Sequence, residues 1–329
     1  MAPASGILHI ANGHSTTALI GHAGIAGDRS IWADVLHEGP VPQGLSDEEL
    51  MRVRALYLAE PAANPEEVVA EFRKWGDPLE QLTDYEELVL WFEHDLFDQL
   101  NLIQLLDRIA RRRRGSTRVS LISIDSFPGR LRFKGLGELT PEELGPLFET
   151  RQPVGEDHYA LAQRAWAAFR SPDPRRLEEL LRGDTSALSF LGAALRRHLE
   201  EFPSTVNGLS RSEQHLLDLV AGGQTAIRNV FLQMHIGESC FYIADLSFWN
   251  LASALGKGPH PLLDIAASGS GASLPSGQFA ITRDGESVRR GTKDRVELCG
   301  IDRWLGGVHL EGSGPIWRWD PELERVVER

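Results

Sequence analysis

Sulfur is scarce in this 329-residue chain, which has two cysteines and three methionines. Cys240 and Cys299 show no metal-ligand spacing, and one pair in so long a chain is not a disulfide framework. No apolar run approaches about 18 residues, so no membrane span is expected. The first residues lack a basic stretch followed by an apolar one, so no secretory signal is expected and a cytoplasmic location is the default. Positive charge is also short: 34 Lys and Arg stand against 47 Asp and Glu, for a net charge of −13. From residue 205 onward there are 12 basic and 15 acidic residues. Neither half has the basic excess of a nucleic-acid binder, so nucleic acid is a disfavoured partner.

Apolar residues make up 42% of the chain, enough for a packed core, and the length suggests two domains or slightly more. Residues 1–150 alternate strand and helix signals. Strands are expected at Ile7–Ala11, Arg29–Val35, Leu88–Phe92 and Val119–Ile124. Helices are expected near Thr16–His22, Asp47–Ala59, Pro65–Trp75 and Leu96–Arg113. This order predicts an α/β domain built on a mostly parallel, Rossmann-like sheet. Residues 151–204 read as a helical connector, with Ser189–Phe202 as its last helix and Ser204–Gly208 as a linker. Residues 205–329 read as a winged-helix-like α+β domain. Ser210 and Glu213 form a capping box, Asp245–Leu255 is a helix, and Ala266–Gly277 is a flexible loop. Gly306–Leu310 and Ile316–Trp319 are expected to pair as a closing hairpin.

In open parallel sheets ligands sit beyond the carboxyl ends of the strands. Polar clusters follow each expected strand: Asn12, His14 and Ser15; Asp34, His37 and Glu38; Glu93, His94 and Asp95; Asp125 and Ser126. Four separate segments thus converge on one rim. The cluster after Trp91-Phe92 is the sharpest, because three ionisable residues end a buried run and are costly to desolvate unless paired. Asp95 and Asp98 are also at cap spacing for a helix start, which leaves Glu93 and His94 to be explained. The chemical reading makes Glu93, His94 and Asp95 the acid–base or ligand set, faced by Asp34, His37 and Glu38. Asn12, His14 and Ser15 would hold an anionic group at a helix N-terminus, unless Ser15 or Asn12 simply caps that helix. A divalent metal is the cofactor such a set could take, with His94, Asp95 and His37 as candidate ligands, but the spacing matches no zinc signature.

Other features read as structural. Arg111–Arg114 suits a helix C-terminus. Asp302, Trp304, His309, Trp317 and Trp319 suit a packed core, and His158, His198 and His215 are isolated.

Three segments, Leu8–Ser15, Trp32–Pro42 and Trp91–Gln99, together resemble a bacterial family catalogued as domain of unknown function 1835. The resemblance covers about residues 6–130. The family pattern has Asn-Gly-Asp-Ser where this chain has Asn12-Gly13-His14-Ser15. Residues 300–310 look like the tail of longer members. The resemblance groups the motifs and implies no established activity. The resulting expectation is an enzyme acting on a small anionic or phosphorylated molecule, by metal-assisted or general acid–base hydrolysis or transfer. The later parts would cover the site or form a homodimer surface. The rival is a ligand-sensing regulator whose winged-helix-like part contacts DNA or a protein; Asp245–Leu255 carries no Lys or Arg, which counts against DNA.

Overall fold

A computed structural model describes residues 6–59, 64–112, 115–268 and 274–329. By contact density the chain forms two compact units. The first comprises residues 1–194 with 306–308, and the second 195–305 with 309–329. No helix among the described residues is long and apolar enough to cross a membrane.

The first unit runs β1 (Ile7–Ala11), α1 (His14–His22), β2 (Asp28–Ile31), β3 (Gly39–Pro40), α2 (Asp47–Ala59), α3 (Pro65–Glu80), β4 (Glu87–Trp91), α4 (Leu96–Ala110) and β5 (Arg118–Ile122). It continues with α5 (Pro141–Leu144), β6 (Gln152–Pro153), α6 (Glu156–Phe169) and α7 (Arg175–Leu181). Five of these strands form one sheet in the order β2-β1-β4-β5-β6. The first four are parallel, with Leu8 beside Leu88 and Leu90 beside Leu121, and β6 is antiparallel to β5. The unit is therefore mixed α/β with a mostly parallel sheet, as the alternation predicts.

Every residue of β4 is buried. Val89 and Trp91 join Ile20, Phe133, Leu136 and Leu144 in one cluster, and Leu88 and Leu90 are equally buried on the opposite side. Both faces are thus covered, which is why β4 reads as a continuous apolar run rather than an alternating one. His9, at the centre of β1, is fully buried. Its Nδ1 accepts from the Trp91 indole at 3.1 Å and its Nε2 faces the Ala26 carbonyl, also at 3.1 Å. Burial holds the His9 ring below its ordinary pKa.

Several expected boundaries move. The second strand stops at Ile31 instead of Val35, because Asp34 is drawn onto a buried arginine and two carbonyls nearby are used the same way. The third helix runs through Pro78 to Glu80. The fourth ends at Ala110; Arg113 and Arg114 lie outside the described residues. The turn Gly306–Val308 packs on the end of α6. Gly307 N–H donates to the Phe169 carbonyl at 2.9 Å, and Val41 N–H donates to the Gly306 carbonyl at 2.8 Å. A Cβ on Gly307 would stand 1.8 Å from the Arg170 carbonyl oxygen, so only glycine fits there.

The helix α8 (Leu191–Leu199) carries the chain into the second unit. That unit contains α9 (Arg211–Ala221), α10 (Ile227–Met234), α11 (Asp245–Leu255), β7 (Leu263–Ser268), β8 (Ser276–Ile281), α12 (Arg283–Arg289) and α13 (Arg295–Cys299). Strands β9 (Ile301–Gly306) and β10 (Val308–Gly312) follow, then β11 (Trp317–Asp320) and β12 (Arg325–Glu328). The Ser210–Glu213 capping box is present. Two expectations are corrected. Both ends of the expected flexible loop 266–277 are strand, because β7 and β8 pair out to Ser268 and Ser276; residues 269–273 lie outside the described set. The closing hairpin joins Trp317–Asp320 to Arg325–Glu328, with Trp319 beside Val326, rather than to 306–310. Glu324, at φ 46°, makes the turn that allows this.

The second unit holds a buried ionic network. Arg197 donates to Glu201 at 2.6 Å, to Glu238 at 2.8 Å and to the Ser212 hydroxyl at 3.0 Å, and Arg303 reaches the other oxygen of Glu201 at 3.3 Å. Despite complete burial, these cations hold the Glu201 carboxyl down at about 2.

Candidate active site

β1 leads through α1 to β2 on one side of the sheet, while β4 lies on the other side of β1. The strand order therefore reverses between the carboxyl ends of β1 and β4, which is where open α/β sheets bind ligands. Asn12 follows β1 and Glu93 follows β4. At this reversal Asn12 Nδ2 donates to Glu93 Oε2 at 2.6 Å and to Asp98 Oδ2 at 3.0 Å. Its Oδ1 accepts from the Thr16 hydroxyl at 3.0 Å.

The chain around Glu93 is fixed from several directions. β4 ends at Trp91, and Asp95 caps α4 by accepting from the Asp98 N–H at 2.9 Å. Asp98 turns its own carboxylate back to the Glu93 N–H at 2.9 Å. Gln99 Nε2 donates to the Glu93 carbonyl at 2.6 Å. On the remaining side the Leu136 N–H donates to Glu93 Oε1 at 2.5 Å. A Cβ on Gly135 would stand 2.7 Å from the Glu93 carboxyl carbon, so the absence of a side chain there is what lets this backbone close on Glu93.

Glu93, Asp95 and Asp98 are 5%, 7% and 1% exposed. Burial, followed by repulsion from Asp95, lifts the Glu93 carboxyl to about 7. Burial and mutual repulsion hold Asp95 and Asp98 well above the usual carboxylate range. Three such groups cannot all ionise in so little solvent; they share protons at neutral pH. Glu93 and Asp95 are buried together at the end of β4, and Asp98 is the unexpected third member of the group. In the sequence it resembles a cap, but Asp95 is the cap and Asp98 is the partner of Glu93.

The other expected residues divide. His37 acts on Asp95, lowering its pKa against the effect of burial, and lies 3.5 Å from Glu38. His94 is buried beside the cluster. Its Nδ1 stands 3.3 Å from the Ile124 carbonyl, and its ring meets Phe133 and Phe190. Asp34 is committed elsewhere: Arg54 grips both its oxygens at 2.8–3.2 Å, with both residues buried. Arg54 also donates to the carbonyls of Val35 and Glu38, so this pair shapes the loop that carries His37. His14 and Ser15 are exposed. Asp125 and Ser126 are exposed as well and bond to each other.

α1 begins after Gly13 with no side-chain cap, because Asn12 is occupied with the acids and with Thr16. Nothing lies within 4 Å of where a Cβ on Gly13 would stand. The helix N-terminus is thus open next to the acid cluster. The expectation of a metal site is not met in the geometry. Among the described residues no group of three or more His, Cys, Asp and Glu side chains could hold a metal ion. The reason is visible in the hydrogen bonds, since Asn12, Leu136 N–H and Glu93 N–H already engage oxygens of Glu93 and Asp98, and Asp95 is spent as a cap.

No protein-family model matches the chain, and no curated protein matches it.

Proposed function

We propose that the first unit is an enzyme that hydrolyses, or transfers a group from, a small anionic or phosphorylated substrate by general acid–base catalysis. The observation that carries this reading is the meeting of Asn12 with Glu93 and Asp98 at the strand reversal, around a carboxyl held near 7. A group with that pKa can both give and take a proton at neutral pH, which is the best compromise for acid–base work. Asn12 orients the Glu93 carboxyl, while burial and the neighbouring Asp95 keep its proton affinity high. The first N–H groups of α1 have no side-chain cap, and such a helix start suits a phosphate or carboxylate. His37 and His94 flank the acids as further proton carriers. The same reading keeps the chain with the domain of unknown function 1835, on the three motif segments that supply these residues.

The test is a screen of phosphomonoesters and small carboxylate esters between about pH 6 and pH 8, comparing wild type with Glu93→Gln. Loss of a positioned acid–base group lowers turnover by about 10²–10⁴-fold while binding is retained. Equal turnover in the two proteins, or no binding of any anion, overturns the proposal.

A second reading concerns residues 211–281. The order α9, α10, α11, β7, β8, with a bridge from Ala226 to Gln278, supports a winged-helix-like module. The outward side of α11 carries Asp245, Leu246 and Asn250 and no basic residue, which favours a protein partner over DNA. Binding of a 20-base-pair duplex that weakens steeply with salt would reverse that preference.

A further inference from the structure

Beside the acid cluster, on the α4 side of β5, lies a separate cavity of about 350 Å³. α4, the carboxyl end of β5, the β6 edge, α6 and the 187–190 segment all line it. Its size is that of a small-molecule site. Its chemistry is distinctive because no Asp, Glu, Lys or Arg lines it, and His158 is the titratable side chain on its wall. The walls alternate apolar groups, such as Leu102, Ile124 and Phe190, with carboxamides and hydroxyls, such as Gln99, Gln152 and Ser123.

Two of these polar groups have unmet bonding capacity. Gln99 is 1% exposed, and its Nε2 is committed to the Glu93 carbonyl. That bond fixes Oε1 as the acceptor end of the amide, and Oε1 has no hydrogen-bond partner. The buried Ser123 hydroxyl also has none. Buried polar groups left unmatched are costly and rare, and native structures keep them where something else supplies the bond. The demand here is for an N–H or O–H donor toward Gln99 and a donor or acceptor toward Ser123, on a body whose remaining surface is apolar and uncharged.

We propose that this cavity binds an uncharged heterocyclic ring of the nucleobase class, presenting a donor to Gln99 Oε1 and a second polar edge atom to Ser123. A planar ring gives Leu102, Ile124 and Phe190 apolar faces to pack on, and its edge carries adjacent donors and acceptors. Gln99 and His94 connect the cavity to the cluster: Gln99 through the Glu93 carbonyl, and His94 through the Ile124 carbonyl and the Phe190 ring. The ring would be the recognition handle of the substrate whose anionic group lies at α1. That role rests on the acid–base reading above, whereas ring binding itself does not.

The experiment is calorimetric titration of the full chain with adenosine, guanosine, cytidine and uridine, which carry no phosphate. Three variants accompany wild type: Gln99→Met, Ala187→Phe and Glu93→Gln. Ala187 lines the cavity, and a larger side chain there occupies it without deleting any packed group. Saturable binding of at least one nucleoside is expected. It should weaken about tenfold or more in Gln99→Met, on the scale of one lost hydrogen bond to a buried acceptor. It should vanish in Ala187→Phe and persist in Glu93→Gln. Circular dichroism of each variant guards against misfolding. No nucleoside binding by wild type, or binding that ignores both Gln99→Met and Ala187→Phe, overturns the proposal. Nucleoside binding by wild type and by Glu93→Gln, with no anionic substrate turned over by wild type, would leave the cavity standing and remove only the catalytic reading.

Discussion

Asn12 and Glu93 lie 81 positions apart in the chain and meet at 2.6 Å, bridging the two strands between which the sheet reverses its order. The same amide also serves Asp98. Asn12→Leu removes both donors from buried acceptors and should cost about 2–4 kcal/mol in urea unfolding. Asn12→Asp adds a fourth acid and should be more damaging near pH 8 than near pH 5.5. An Asn12→Asp protein as stable as wild type near pH 8 would show that the acids do not meet at this amide.

Glu93 gives the first unit an unusual response to pH. Its carboxyl binds a proton more tightly in the folded state, at about 7, than in the unfolded chain, at about 4.5. The folded form therefore holds the extra proton between those values. The resulting stabilisation is complete below about pH 4.5 and is lost as the pH rises through about 7, amounting to about 3 kcal/mol. Asp95 and Asp98 act in the same direction. Unfolding free energies measured from about pH 5 to pH 8 should fall, and Glu93→Gln should flatten that slope. A wild-type profile rising across this window would contradict the shared-proton cluster.

Asp34 and Arg54 form a closed structural pair. Asp34→Asn leaves the Arg54 charge buried with carbonyls alone, and should cost about 3–5 kcal/mol. Replacing both, as Asp34→Leu with Arg54→Met, should recover part of that loss. A single replacement costing under about 1 kcal/mol would mean that the pair does not hold the loop.

The second unit should answer acid in the opposite sense. Glu201 is held at about 2, below its unfolded value. Its contribution is complete above about pH 4.5 and is lost as the pH falls through about 2, again about 3 kcal/mol. Glu201→Gln should remove most of the acid-induced unfolding between those values, followed by circular dichroism. Unchanged acid unfolding in that variant would assign the transition to other groups.

The sheet and the rim were legible because burial on both faces of β4 leaves an uninterrupted apolar run, and because polar residues at strand ends are hard to explain otherwise. The meeting of the β1 and β4 ends on one rim followed from that logic, whereas the pairing of Asn12 with Glu93 did not, because the sequence casts Asn12 as a holder of an anionic group. Asp98 was not legible, since an acid three residues after a cap looks like a favourable helix charge; only its orientation toward Glu93 reveals its part. Asp34 looked like a site residue because its arginine sits 20 positions away on α2, with no spacing rule to join them. His14 and Ser15 carry suitable chemistry, yet α1 begins so early that their side chains face solvent. The cavity beside Gln99 depends on an amide whose two ends differ in their partners, a distinction no sequence pattern encodes.

The Gly306–Val308 turn bears on how the protein is made. These three residues belong to the first unit, and their backbone bonds to Phe169 and Val41 are contacts that residues 1–194 cannot supply alone. During synthesis the ribosome delivers this turn only after residues 195–305 of the second unit have appeared. Domains commonly fold in the order in which they are translated. Here the first unit receives its last piece after most of the second has been made, so the two units are not completed in simple succession. A fragment ending at residue 194 would leave the end of α6 without the backbone that seals it.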